Sequence, residues 1–213
     1  MDHGNAARNF FGQVEFNQWE RSWVSPVTHI LIGWLVGNGG TLEMRERTAI
    51  TLAGVAPDLD GAGLVAEYLT RDGAHPLMWY STYHHVLGHN LLFGMVVTLA
   101  TLGFARDRWK TCVLSFFSFH LHLLGDIVGS RGPDGFEWPI QYLFPFSTKF
   151  QLCWQGQWEL NAWPNFAITA VALLIALYVA WKKERSPVAM FSVSADQAFV
   201  KALRKRFSLR FRH

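Results

Sequence analysis

Apolar residues run along the chain in blocks, each closed by a polar breaker. Val27 to Val36 is apolar and stops at Gly37-Asn38-Gly39-Gly40, and Ser25-Pro26 ahead of it offers a helix start with proline in the first turn. A charged patch, Glu43 to Arg47, precedes apolar Thr48 to Ala56, which stops at Pro57-Asp58-Leu59-Asp60-Gly61. Residues 62–83 are mixed and aromatic. His85 to Ala105 is apolar and closes at Arg106 to Lys110; Thr111 to Val128 closes at Gly129 to Pro133. Residues 134–164 are rich in Trp and carry Pro139, Pro145 and Pro164, and Asn165 to Trp181 holds no charge. After Ser194, residues Phe199, Leu203, Phe207 and Phe211 recur at helical spacing with Lys and Arg between them. Strand alternation is scarce and no repeat is visible. The pattern predicts an all-α, membrane-embedded helical bundle of about four to five core helices, followed by an amphipathic basic C-terminal helix.

Composition narrows the class. Half the residues are hydrophobic and only 16% are charged, against roughly 25% charged in an ordinary soluble domain. A disordered chain is excluded, because it would be poor in apolar residues. Two classes remain: a membrane-embedded helical protein, or a soluble one with an unusually apolar surface. Asn165 to Trp181 is near the lower length limit for a membrane span, and Lys182, Lys183 and Arg185 follow it as a cytoplasmic flank would. Segments 27–36 and 48–56 are too short to cross about 30 Å of hydrocarbon unaided. Residues 1–25 are polar and lack the pattern of a cleavable signal peptide. Three parts are expected: a polar N-terminal segment 1–25, a membrane-embedded metal-binding domain 26–181, and a basic, cytoplasmic tail 182–213. The expected location is a membrane, crossed more than once.

Charge is unevenly spread. Residues 182–213 carry nine Lys/Arg against two acids, while residues 1–181 carry ten against fourteen. Membrane lipids are the expected partner of this tail. Nucleic acid is disfavoured, since the tail lacks spaced aromatic platforms and no reading-helix motif is present. Placing the basic clusters at 45–47, 106–110 and 182–185 on one side of the membrane puts His29, Asp58, His84 and Asp126 on the other.

Cys112 and Cys153 have no zinc-finger spacing, so a metal must be held by His and carboxylate. Seven of the nine histidines fall between residues 29 and 122, and six of them, all but His75, lie in clusters that also hold the candidate acids: Thr28-His29, Asp58-Leu59-Asp60, His84-His85-Val86-Leu87-Gly88-His89, and His120-Leu121-His122 with Asp126. His122 and Asp126 are i and i+4 on a helix and reach one point. Burying Asp126 unpaired in Leu123 to Val128 would be costly, so a metal or a histidine must face it. Two registers are open at the third cluster: His85 with His89 at i and i+4, or His84 lying just before a helix that carries His89. Imidazole and carboxylate donors meeting in a bundle suit one or two divalent ions, zinc first. Such an ion, with an open position, lowers the pKa of water to about 7 and serves hydrolysis.

The ordered set Thr28-His29-x-x-x-Gly33, Pro57-Asp58-x-Asp60, His84-x4-His89, His122-x3-Asp126 and Trp138-Pro139 resembles the YdjM-like family of LexA-regulated, inner-membrane, metal-dependent hydrolases, over roughly residues 26–147. That family is in turn distantly similar to zinc-dependent phospholipase C and P1-type nucleases. The resemblance implies a bacterial inner membrane as the location, and His29, Asp58, His84, His89, His122 and Asp126 as metal ligands. It makes Asp60 a ligand or a partner behind the ligands. The family usually reads His-Arg-Gly-x-Thr-His-Ser at the third cluster; here His85 stands in place of the Arg and the hydroxyls are lost. The expected activity is hydrolysis of phosphoesters or lipid-like esters at the bilayer surface, with Asp60 and His85 as the residues that move protons. The alternative is a non-catalytic membrane protein with a structural metal or a lipid-binding role. Trp138, Trp154, Trp158 and Trp163 are expected at the membrane interface or as a packed lid.

Overall fold

The computed structural model describes residues 24–132 and 135–208. The polar segment 1–25 lies outside them apart from its last two residues, as does Phe211. Among the described residues the chain is all-helical: α1 Val24–Gly37, α2 Met44–Ala53, a 3-10 helix Ala56–Ala62, α3 Gly63–Thr70, α4 Trp79–Tyr83, α5 Leu91–Ala100, α6 Arg108–Gly129, α7 Trp163–Lys183 and α8 Val193–Ser208. Short 3-10 turns follow α5 and precede α8. The segment between α6 and α7 is irregular and carries two isolated bridges, Arg131 with Glu159 and Ile140 with Leu152.

The predicted apolar blocks become α1, α2, α5, α6 and α7, with two corrections. The block that opens at His85 does not begin as helix. Residues 84–90 are turns, and α5 starts at Leu91, because extended Asn90 caps it by accepting from the Phe93 N–H. Thr48–Ala56 likewise stops short at Ala53. The chain bends by 53° into the 3-10 helix that carries Asp58 and Asp60, where Pro57 and the absence of a regular ladder break the run.

α6 and α7 are long and apolar enough to cross a membrane, and α2 with its bent continuation through α3 makes a third candidate span. Much of α7 is unburied by protein: Val171, Leu173, Leu174, Ile175 and Tyr178 are exposed, as a lipid-facing helix requires. Its buried stripe is Ala172, Ala176 and Ala180. Small residues at i, i+4 and i+8 let it sit close to Leu31 and Trp34 of α1. A second core joins Phe119 and Leu123 of α6 to Ile140 of the irregular segment.

The basic clusters meet at one end of the bundle. Lys183 donates to the Asn38 carbonyl, and Arg106 pairs with Glu43. Buried Glu46 accepts from the backbone N–H groups of Arg106 and Asp107. The opposite end holds the candidate ligands.

Gly54 lets α2 meet α6. A Cβ there would stand 2.4 Å from Ser118 Oγ, and the Gly54 carbonyl accepts from His122. Gly54→Ala is therefore expected to destabilise the fold by about 1–3 kcal/mol through overpacking, with Ser118→Ala restoring most of the loss. Thermal unfolding in detergent of the single and double variants checks this; equal instability of both would contradict it.

Candidate metal centre

The structure brings all eight predicted site residues to one end of the bundle. His29 comes from α1, Asp58 and Asp60 from the 3-10 helix, His84, His85 and His89 from the turns before α5, and His122 and Asp126 from α6. His120, by contrast, turns away from His122. Its Nδ1 faces the Phe116 carbonyl and its Nε2 lies 3.0 Å from the Tyr142 hydroxyl.

Asp126 is the hub. Its Oδ1 lies 3.5 Å from His29 Nε2, and its Oδ2 lies 3.0 Å from His122 Nε2 and 3.2 Å from His89 Nε2. His122 Nε2 is also 3.3 Å from His89 Nε2 and 3.5 Å from Asp58 Oδ1. The rings of His29 and His122 stack with centroids 3.7 Å apart. Zinc bonds of 2.0–2.1 Å at tetrahedral angles put ligand atoms about 3.3–3.4 Å apart, so these separations match the edges of a coordination shell.

Protonation points the same way. His122 Nδ1 faces the Gly54 carbonyl at 2.9 Å and must carry the proton that bond requires. In the neutral ring its Nε2 then presents a lone pair to two carboxylates. Lone pair facing carboxylate is repulsive unless a cation lies between them. Asp126 Oδ2 and Asp58 Oδ2 are both buried without an aligned hydrogen bond, and unsatisfied buried polar atoms of this kind call for a partner. Groups of three donors that fit around an ion are His29, His122 and Asp126; Asp58, His89 and His122; and His84, His85 and His89. The donor set therefore fits a divalent ion.

Asp60 stands behind this shell. One oxygen takes His84 Nδ1 at 2.6 Å; the other takes His89 Nδ1 at 3.0 Å and the Gly88 N–H at 2.7 Å. Holding Nδ1 of both imidazoles turns their Nε2 atoms toward the site. His89 is buried, which opposes its charged form, but Asp126 and Asp60 outweigh burial and raise it to about 9. An ion arriving at neutral pH therefore displaces a proton. Burial, with His84 and His89 beside it, holds His85 well below the ordinary imidazole value.

Neither helical register for the third cluster applies, because residues 84–90 are not helical. His85 has a left-handed backbone, φ 68°, which a non-glycine residue adopts only under local constraint. Gly88 packs so tightly against Pro57 that a Cβ would lie 2.2 Å from its carbonyl oxygen.

Sequence reasoning missed the groups that hold the ligands in place. The Gly54 and Trp138 carbonyls orient His122 and His85. Fully buried Gln157 donates to the Asp126 carbonyl and accepts from the Trp138 N–H. The one available signal was Trp138-Pro139, since Trp138 does pack on His84 and His85 as a lid residue would. Backbone carbonyls and a lone glutamine carry no pattern of their own. The carboxylates Asp58, Asp60 and Asp126 pair with imidazoles, and among the described residues no lysine or arginine reaches them.

The family model for the YdjM inner membrane protein matches residues 24–201. No curated protein and no solved structure matches the chain.

Proposed function

Since the chain belongs to the YdjM inner membrane protein family and is a membrane protein, we propose that it is a metal-dependent hydrolase of phosphoesters or lipid-like esters, with His29, Asp58, His84, His89, His122 and Asp126 holding one or two divalent ions, zinc first. The observation that carries this reading is the convergence of the His29, His89 and His122 Nε2 atoms on the buried Asp126 carboxylate. When bound, a divalent ion supplies Lewis acidity and lowers the pKa of water into the neutral range.

The chain's own residues do the rest. Asp60 is a positioning group: both its oxygens are taken by His84, His89 and Gly88, so it orients ligands rather than carrying protons. Asp58 is the most open carboxylate, its side chain 23% exposed against 5% for Asp126, so substrate approaches on its side. Next to it Leu59 is exposed. A groove of about 360 Å³ runs beside it between α2 and α5, lined by Leu52, Val55, Leu59, Val97 and Phe104. Apolar walls that include Leu59, the chain neighbour of Asp58, favour a substrate with an acyl chain. Trp138 and Gln157 close the site from the irregular segment and limit water entry.

Full-length protein purified in detergent is expected to carry about one or two zinc ions and to hydrolyse members of a phospho- and carboxyl-ester panel. Chelation should remove that activity and zinc should restore it. A specific observation favours a second reading, a metal-containing lipid binder: no Lys or Arg among the described residues reaches the site carboxylates to hold a phosphate. Full metal occupancy with no turnover across the panel would decide for that reading.

A further inference from the structure

We propose that His84, His85 and His89 form a second cation position of three nitrogen donors, beside one built on His29, Asp58, His122 and Asp126. The inference rests on the metal-holding reading above and adds His85, a ligand the family pattern does not supply.

Geometry carries it first. The three rings form a nearly equilateral triangle, with centroids 4.7 Å, 4.8 Å and 4.9 Å apart. Around an ion with 2.0–2.1 Å Zn–N bonds, each ring centre lies about 3.2 Å from the metal, so tetrahedrally disposed rings are about 5 Å apart. The triangle is therefore the size that an ion at its centre would impose.

The ring orientations agree. His84 and His89 each direct Nδ1 to Asp60, and His85 directs Nδ1 to the Trp138 carbonyl at 3.2 Å. Each Nδ1 is thus a donor in the metal-loaded state, and each Nε2 is left as the ligand atom. His85 Nε2 is the decisive atom. Its ring is fully buried and this nitrogen has no hydrogen-bond partner. A left-handed backbone at His85 brings it there. Strain at a non-glycine residue together with an orphaned buried nitrogen marks a site rather than a packing residue.

The two positions are separate in ligands but adjacent in space. An imidazole nitrogen serves one ion. Assigning His89 to the nitrogen triad leaves the first position the His29, His122 and Asp126 group, with Asp58 Oδ1 3.5 Å from His122 Nε2. His89 Nε2 lies 3.2 Å from Asp126 Oδ2, so the ions would be neighbours, as in two-ion hydrolytic sites with ions about 3.5–4 Å apart. Three neutral nitrogens and no carboxylate select zinc, copper or nickel over magnesium and calcium.

The test is a metal count on full-length protein in detergent, loaded with zinc and freed of excess ion. Wild type should hold two equivalents, and His85→Gln and His122→Gln one each. His120→Gln, whose imidazole lies outside the site, should hold two. Circular dichroism and size-exclusion profiles establish that each variant is folded. Titration of wild-type apoprotein with Co2+, followed by visible absorption, should break at two equivalents and needs no variant. Two equivalents in folded His85→Gln, or a single equivalent in wild type that His122→Gln removes, would overturn the second position and leave the first. No ion bound by wild type would overturn both.

Discussion

Asp126→Asn should abolish tight zinc binding and ester hydrolysis together. Asn keeps the shape of the side chain, but it replaces one oxygen with an NH2 group and removes the charge. The two oxygens of this carboxylate are where three imidazoles converge: His29 at Oδ1, His89 and His122 at Oδ2. Loss of a partner behind a ligand costs about 10–100-fold in metal affinity, so loss of the hub itself should exceed about 100-fold. Elemental analysis after dialysis against a zinc buffer reads the affinity, and the responsive esters of the panel read the activity. Retention of wild-type metal by folded Asp126→Asn would remove Asp126 from the ligand set.

A different signature is expected of Asp60→Asn. Asp60 accepts three N–H groups, from His84, His89 and Gly88. Asn offers one oxygen and turns a donor toward groups that already donate. The two rings lose their alignment while every proposed ligand remains. Metal affinity should fall about 10–100-fold, yet saturating zinc should restore full stoichiometry and much of the turnover. Competition with a chromophoric chelator measures the shift. Stoichiometry that stays low at saturation would instead make Asp60 a direct ligand, and an unchanged affinity would make it merely structural. Together the two variants separate a group that holds the ion from one that holds its ligands.

The fold was legible where the signal was local. Breakers at Gly37-Asn38-Gly39-Gly40 and Pro57 to Gly61, and the closing run at Arg106 to Lys110, delimit α1, α2 and α5 because a few residues suffice to stop a helix. His122 and Asp126 were readable as a pair because helical geometry alone puts i and i+4 on one face. The third cluster was not legible. His85 to Ala105 looks uniformly apolar, so a helix was expected to run through it. Tertiary contacts decide otherwise: the Gly88 N–H goes to Asp60, and close packing on Pro57 holds the turns. Those partners lie 28 and 31 positions away, beyond the reach of any local pattern.

By itself, the sequence determined that this is an apolar, all-helical membrane chain whose imidazoles and carboxylates belong to one end of the bundle. Those properties follow from composition, short-range periodicity and the spacing of charge. Only the tertiary structure decided the division of labour among them. Asp58 and Asp60 are two residues apart, yet one faces the donor cluster and the other stands behind His84 and His89. His85 was an altered family position until the Trp138 carbonyl, more than fifty residues away, fixed its ring. Which lone pair meets which oxygen depends on how helices and turns pack at ångström distances, and packing is a property of the whole chain.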